Sequence, residues 1–156
     1  TFFKKLLFTR QFFYGDGTFE LLGGAYSPLP LEFLLSLEVS DPEMLYGRLK
    51  KHVAQSVQRS VHRLRMRFPE LSEVIPQLFE IYGLGRLELV DLDVEARHAI
   101  VRIHDSPLPP LKSNATCSIM CGVLSGFFSG LFQDSVDASV NKCVLKGDEY
   151  CEVLLK

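Results

Sequence analysis

Apolar and polar residues follow one another along the chain in patterns that predict strands, then helices, then strands again. Near the start, two short apolar segments, Gln11–Tyr14 and Thr18–Leu22, flank Gly15-Asp16-Gly17. Because glycine supplies the positive φ that tight turns need, these segments are predicted to form a hairpin that Gly23-Gly24 ends. A short helix is then predicted over Leu31–Leu37.

A long amphipathic helix is predicted in the middle of the chain. Asp41 and Pro42 suit its start, because Asp accepts hydrogen bonds from free amides and Pro fits the first helical position. Apolar residues then recur every three or four positions and predict one buried face: Leu45, Leu49, Val53, Val57, Val61, Leu64 and Phe68. We expect Pro69 to end this helix and a second helix to cover Glu70–Tyr82.

The rest of the sequence predicts strands, one helix and a final hairpin. Apolar positions alternate in Arg86–Leu92 and Ala99–His104, which indicates strands. An apolar helix is predicted over Cys117–Phe132. Val136–Leu145 and Tyr150–Leu155 are expected to pair as a hairpin. We therefore expect a single α+β domain over the whole chain, with helices packed on an antiparallel sheet.

The composition limits the classes of partner. The net charge of the 156 residues is −2, so we expect no nucleic-acid binding, which depends on excess cations. No charged residue lies between Ser113 and Gln133, but polar residues and glycines interrupt this stretch. It is therefore predicted to be a buried helix rather than a membrane span. The absence of an export signal in Thr1–Arg10, with an expectation of reduced cysteines, predicts a cytoplasmic protein.

The four cysteines all follow residue 116, which indicates one local site. Cys117 and Cys121 stand one turn apart on the predicted helix, and the final hairpin is expected to bring Cys143 close to Cys151. Four thiolates at one point match the tetrahedral coordination of Zn²⁺, and such a closed site is structural rather than catalytic. Spacing alone leaves three alternatives, namely free buried cysteines, a Cys143–Cys151 disulfide and an iron–sulfur cluster.

Glycines recur at every fourth position of the predicted Cys117–Phe132 helix, at Gly122, Gly126 and Gly130. Because each glycine weakens a helix relative to alanine, this stripe predicts either close approach of another backbone or space for a ligand. Apolar type and helical position select six candidate ligand-binding residues: Phe79, Tyr82, Leu124, Phe127, Phe128 and Phe132.

These motifs resemble the signature of the 4-vinyl reductase domain family. The resemblance runs over Cys117-x4-Gly122-x3-Gly126 and Cys143-x3-Gly147-Asp148-x2-Cys151, and upstream over residues 83–88 and 101–107. The family includes archaeal stand-alone proteins, a chlorophyll-pathway protein and sensor domains of aromatic-responsive bacterial regulators. The resemblance implies the α+β fold of ligand-binding domains in nitric-oxide signalling and Golgi transport, an apolar cavity and a homodimer.

The sensor members of that family also imply a zinc site. By motif position three ligands are expected: Cys117, Cys143 and Cys151. The fourth ligand of the family is a Glu three residues before the second of these cysteines, and Val140 stands there in this chain. We expect Cys121 to replace it, with Asp137 as the alternative. The predicted cofactor is therefore one structural zinc ion held by Cys117, Cys121, Cys143 and Cys151.

Together these features predict a domain that binds a small hydrophobic molecule, such as a hydrocarbon, an aromatic or a lipid, as a sensor or carrier. One alternative is a reductase or accessory protein in tetrapyrrole vinyl-group reduction, and another is a dimeric structural adaptor without a ligand. We expect no enzyme activity, because Gly83-x-Gly85 lacks the third glycine of a dinucleotide-binding loop and no catalytic triad is recognisable. Arg59, Arg63 and Arg67 predict a solvated helix face or a surface for a partner.

Overall fold

A computed structural model describes residues 12–15, 18–21, 24–27, 30–64, 68–107 and 117–156. Their first part is a three-stranded antiparallel sheet in the order β1-β2-β3. Its strands are β1 (Phe12–Gly15), β2 (Thr18–Leu21) and β3 (Gly24–Tyr26). The predicted hairpin is confirmed, and the sheet gains a third strand that the sequence did not predict.

Three helices follow this sheet. They are α1 (Leu31–Ser40), α2 (Pro42–Leu64) and α3 (Phe68–Ile81). The start of α2 is as predicted, because Asp41 Oδ1 accepts a 3.0 Å hydrogen bond from the amide of Met44. The expectation that Pro69 ends this helix is wrong, since Pro69 lies in the first turn of α3, where proline is tolerated.

The second sheet has four antiparallel strands in the order β4-β5-β7-β6. They are β4 (Arg86–Asp93), β5 (His98–His104), β6 (Ala138–Lys142) and β7 (Cys151–Leu155). The last helix, α4 (Ser118–Phe132), precedes β6 along the chain. Strand β6 is shorter than predicted, because a 3-10 turn over Val144–Lys146 takes its last residues. The predicted α+β class with antiparallel pairing is confirmed.

Helix α4 is the centre of the core, and every residue from Ser118 to Gly130 is buried. Its glycine stripe packs directly on α2. A Cβ atom built on Gly122 would lie 3.0 Å from the carbonyl oxygen of Tyr46, and one on Gly130 would lie 2.8 Å from that of Ala54. The predicted close backbone approach is confirmed, and this face of α4 leaves no room for a ligand. No described helix is long and apolar enough to span a bilayer.

Candidate functional site

Two groups of side chains carry chemistry beyond packing. The first, called the cysteine cluster below, comprises Cys117, Cys121, Cys143 and Cys151, all of which are buried. Cys143 follows the last residue of β6 and Cys151 opens β7, as predicted. Gly147, at φ +97°, lies in the tight turn between them, a conformation that side chains disfavour. The sulfurs of Cys143 and Cys151 lie 4.0 Å apart.

Backbone and side-chain donors fix this turn around the sulfurs. The amide of Val144 donates to Cys151 Sγ at 3.3 Å, and the amide of Cys143 donates to Asp148 Oδ2 at 2.8 Å. Burial raises the pKa of the Cys151 thiol, the Val144 amide lowers it in part, and the charge of Asp148 raises it. The turn therefore places two sulfurs together and gives one of them a hydrogen-bond donor.

The other half of the cluster lies at the N-terminus of α4. Cys117 occupies the cap position at φ +56° and makes no capping hydrogen bond with its side chain. Glu38 of α1 caps the helix instead, with Oε1 accepting a 2.5 Å hydrogen bond from the amide of Ser118. Burial, followed by the charges of Glu38 and Cys151, raises the pKa of Cys121 to about 12, so both groups lie within electrostatic range of its thiol.

In this structure Cys117 and Cys143 are joined as a disulfide, and Cys121 and Cys151 are free. This disulfide differs from the expectation of four reduced cysteines, and it is not the Cys143–Cys151 pairing that spacing left open. Within the described parts of the chain, no group of three or more His, Cys, Asp or Glu side chains forms a metal site as the side chains stand.

The separation of two of these sulfurs nevertheless matches that of zinc ligands. Tetrahedral thiolates at about 2.3 Å from Zn²⁺ lie roughly 3.8 Å from one another, close to the 4.0 Å between Cys143 Sγ and Cys151 Sγ. The Cα atoms of Cys117 and Cys143 are 7.5 Å apart, which exceeds the roughly 4.4–6.8 Å usual for a disulfide. Two cysteines that bind one zinc ion can have their Cα atoms farther apart than two cysteines joined by a direct S–S bond. Cys117, Cys143 and Cys151 therefore stay candidates for ligands on these distances.

Asp137, the alternative fourth ligand from the sequence, has other partners. Its Oδ1 accepts hydrogen bonds from Lys50 Nζ at 2.6 Å and from the Tyr46 hydroxyl at 2.8 Å. Lys50, followed by Tyr46, holds the pKa of Asp137 below its ordinary value. Asp137 pairs with Lys156 beyond the end of β7, whereas Cys151 starts that strand, so the two lie at opposite ends of it.

The second group, called the aromatic cluster below, comprises Phe19, Tyr26, Tyr82 and Phe127. Their rings contact one another in sequence, with centroid separations of 5.9, 6.0 and 6.2 Å. The hydroxyls of Tyr26 and Tyr82 are hydrogen-bonded at 3.0 Å. Burial, and then Tyr26, raises the pKa of Tyr82. The cluster links the first sheet to α4 and combines apolar rings with one pair of hydroxyls.

The six predicted ligand-binding residues divide into two sets. Four are core residues: Phe79, Leu124, Phe127 and Phe128. Tyr82 and Phe132 are half-buried, and the Phe132 ring contacts that of Phe128 in a tilted arrangement with centroids 5.7 Å apart. An open groove of about 480 Å³ between α2 and the C-terminal end of α4 is lined by none of the six. The described residues thus place Tyr82 and Phe127 together in the aromatic cluster, and Phe128 and Phe132 in a separate pair.

Sequence reasoning missed two residues of these groups. Glu38 belongs to a stretch whose apolar neighbours gave no sign that a carboxylate would be buried. Tyr26 follows the glycine pair that was expected to end the hairpin, yet it lies in a third strand that pairs with β2. The neighbouring Gly23-Gly24 pair was the only local sequence signal at Tyr26.

Comparison with known proteins shows the fold. No protein-family model matches this chain, and no curated protein matches it in sequence. Among solved structures, it is similar to the phenol-responsive sensory domain of the transcription activator PoxR, crystallised with phenol, at TM-score 0.73 and 20% identity. That match covers 100% of this chain and 90% of the other.

Two further structures are similar over most of their length. A vinyl-4-reductase family protein from Methanocaldococcus jannaschii matches at TM-score 0.59 and 15% identity, over 84% of this chain and 83% of that one. Subunit 3 of the trafficking protein particle complex of Naegleria fowleri, covalently bound to palmitic acid, matches at TM-score 0.50 and 16% identity, over 81% and 87%. The fold expected from the resemblance is confirmed: the chain has the α+β fold that these three structures share.

Proposed function

We propose that this domain binds a small hydrophobic molecule carrying one hydroxyl group, a phenol being the simplest case, at the aromatic cluster. The observation that carries the proposal is the Tyr26–Tyr82 hydroxyl pair, 3.0 Å apart, in contact with the Phe127 ring. Ligand sites are mostly apolar with a few polar groups that fix orientation, and this cluster has that composition. The similarity to a phenol-responsive sensory domain supports the proposal as an analogy of fold.

The chemistry of the hydroxyl pair defines the ligand class. Each tyrosine hydroxyl has one donor and two acceptor positions, so a pair that shares one hydrogen bond still has capacity to accept and donate. A ligand hydroxyl is able to join this pair, while its apolar body contacts the rings. Burial and Tyr26 raise the pKa of Tyr82, which keeps it a neutral donor at physiological pH.

Entry of a ligand requires side chains to move. Phe127 is 2% exposed and Leu124 is fully buried, whereas Tyr82 is half-buried at the end of α3. We propose that displacement of the Tyr82 ring opens the site, because it is the member of this contact that borders solvent. Motion there would be transmitted to α4 through the Tyr82–Phe127 contact, which gives a sensor a route from ligand to helix.

We also propose that the cysteine cluster binds one structural zinc ion. Cys117, Cys143 and Cys151 supply three thiolates, and the fourth ligand is one of two buried groups beside them, Cys121 or Glu38. Bound there, zinc would join the β6–β7 turn to the N-terminus of α4 without an open coordination position for substrate. The disulfide between Cys117 and Cys143 is the oxidised alternative to this state, since its sulfurs must first be reduced to thiolates before they bind zinc.

Thermal unfolding with four probes, benzene, phenol, toluene and decanoate, tests ligand binding. A ligand at one hundred times its Kd stabilises the folded state by about 2.7 kcal/mol, which raises Tm by roughly 5–10 °C in a domain of this size. We expect phenol to exceed benzene, because only phenol reaches the hydroxyl pair.

The variant Tyr82→Phe separates this site from general apolar binding. It removes one hydroxyl and is expected to lower phenol affinity by about tenfold, the equivalent of one net hydrogen bond, with benzene binding unchanged. Tyr150→Phe is the matched control, since Tyr150 lies between Arg102 and Lys142 on the second sheet. Absence of any shift with all four probes would refute the proposal.

Full packing of the core favours a second candidate, a structural adaptor without a ligand. Phe79, Leu124 and Phe128 are completely buried against their neighbours. An adaptor would show no response to the probes, and its dimerisation would be unaffected by them.

Homodimerisation and a cytoplasmic location stay predictions. Sedimentation equilibrium tests the first of these, and a pigment-reduction assay with a nicotinamide cofactor tests the reductase alternative.

A further inference from the structure

Glu38 is the most unusual charged residue among those the structure describes. It lies in α1, its side chain is 2% exposed, and it is the only charged residue among the buried polar residues of the described chain. Burial raises its pKa, while the amides of Ser118 and Ile119 lower it. A carboxylate buried to this extent is found almost only where a partner compensates its charge.

The two oxygens of this carboxylate have different surroundings. Oε1 accepts the 2.5 Å hydrogen bond from the Ser118 amide. Oε2 is buried and has no hydrogen-bond partner among the described residues. An isolated acceptor of this kind is costly, and in native structures it commonly marks an ion or water that completes it. Helix capping therefore explains one oxygen and leaves the other unexplained.

The carboxylate of Glu38 lies at the end of α4 that carries the cysteine cluster. The amide that binds Oε1 belongs to the residue directly after Cys117, and Cys121 is a neighbour of the same carboxylate. Among the described residues, Glu38 forms no ion pair with a lysine or arginine. A metal ion among the thiolates would supply a cation instead.

Cys121 and Glu38 differ in whether their side chains need a polar partner when they are buried. A buried thiol packs as a small hydrophobe and is stable without a polar partner, whereas a buried carboxylate oxygen is not. Carboxylate oxygens bind zinc in proteins at about 2.0–2.2 Å, so a carboxylate is able to complete a site that has three thiolates. Resting on the proposed zinc site, we infer that Glu38 Oε2 is the fourth ligand of the ion bound by Cys117, Cys143 and Cys151, and that Cys121 packs beside it as a neutral thiol.

This assignment gives α1 a role in the centre. Glu38 would hold the N-terminus of α4 through Oε1 and the metal through Oε2, so that three parts of the chain far apart in sequence meet at one ion. The carboxylate would also make loss of the metal costly for the contact between α1 and α4, because an unpartnered charge would then be left buried.

X-ray absorption at the zinc edge tests the assignment on the wild-type protein loaded with zinc under reducing conditions. We expect three sulfurs at about 2.3 Å and one oxygen at about 2.0–2.2 Å. Four sulfurs and no oxygen would overturn the role of Glu38 and leave the zinc proposal intact, with Cys121 as the fourth ligand. Failure to bind zinc at all would overturn both.

Two variants identify the source of the oxygen. Glu38→Gln keeps an acceptor for the Ser118 amide but loses the charge, and it is expected to weaken zinc binding by more than the roughly 10–100-fold typical of changes around the ligands. Cys121→Ala is expected to change zinc affinity less than tenfold and to keep the oxygen. Glu32→Gln, on the exposed side of α1, is the matched control. Zinc affinity of Glu38→Gln equal to that of Glu32→Gln would refute the inference.

Discussion

Addition of one methyl group at Gly126 tests how closely α2 and α4 pack. A Cβ atom there would lie 2.7 Å from the carbonyl oxygen of Lys50 and 2.7 Å from the Cβ of Val53. Ordinary contacts of these atoms are about 3.5–4.0 Å, so the two helices must separate or bend. Because one of the contacted atoms belongs to the backbone of α2, a change of side-chain rotamer does not relieve the clash.

The magnitude follows from two opposed effects. Overpacking in a dense core costs roughly 1–3 kcal/mol, and we expect the upper end because backbone atoms clash. The higher helix propensity of alanine returns up to about 1 kcal/mol. Gly126→Ala is therefore expected to lower the free energy of unfolding by about 2 kcal/mol and Tm by roughly 4–8 °C.

Gly47 provides the matched control on the partner helix. A Cβ atom at Gly47 meets nothing within 4 Å, so Gly47→Ala keeps the propensity gain without the clash. We expect it to raise the free energy of unfolding by about 0.4–1 kcal/mol. Urea unfolding followed by circular dichroism measures both variants. If Gly126→Ala were as stable as Gly47→Ala, the close packing of the glycine stripe on α2 would be refuted.

Two further predictions concern the polar contacts of the segment between α4 and β6, which contains Val136 and Asp137. Lys50 and Tyr46 lower the pKa of Asp137, so the contribution of this ion pair is present above about pH 4 and is lost as the pH falls through the folded pKa. Because Asp137 is 74% exposed, Asp137→Asn is expected to reduce stability at pH 7 by less than about 1 kcal/mol, with the difference shrinking in urea titrations as the pH falls below about 4. Ser129→Ala removes the hydroxyl that accepts a 2.9 Å hydrogen bond from the buried amide of Val136, which is expected to cost about 1–3 kcal/mol. Equal stability of the wild type and Ser129→Ala would show that water replaces this hydroxyl.

The local pattern of apolar and polar residues was sufficient to predict the strands of the second sheet and the long helices. In β5 the alternation of Ala99, Val101 and Ile103 predicts one buried face, and all three are fully buried. The glycine stripe of α4 likewise predicts close approach of another backbone, although it does not say that α2 is the partner. These features depend on neighbours within a few residues, so the sequence carries them.

The features that the sequence could not supply depend on distant parts of the chain. Burial of Glu38 follows from the packing of α1 on the start of α4, and the Ser118 amide that it binds is 80 residues away. The Tyr26–Tyr82 hydroxyl pair spans 56 residues. No local period indicates either contact, because each joins two elements whose arrangement only the complete fold determines.

Titration of the isotope-labelled protein with phenol, followed by the aromatic resonances in NMR spectra, tests ligand binding at the aromatic cluster most directly. The proposal predicts saturable shifts, at one phenol per chain, for Tyr26, Tyr82 and Phe127, with the resonances of Tyr150 unchanged. Resonances of these three residues that stay fixed while phenol is raised to millimolar concentration would contradict it, as would shifts that never saturate.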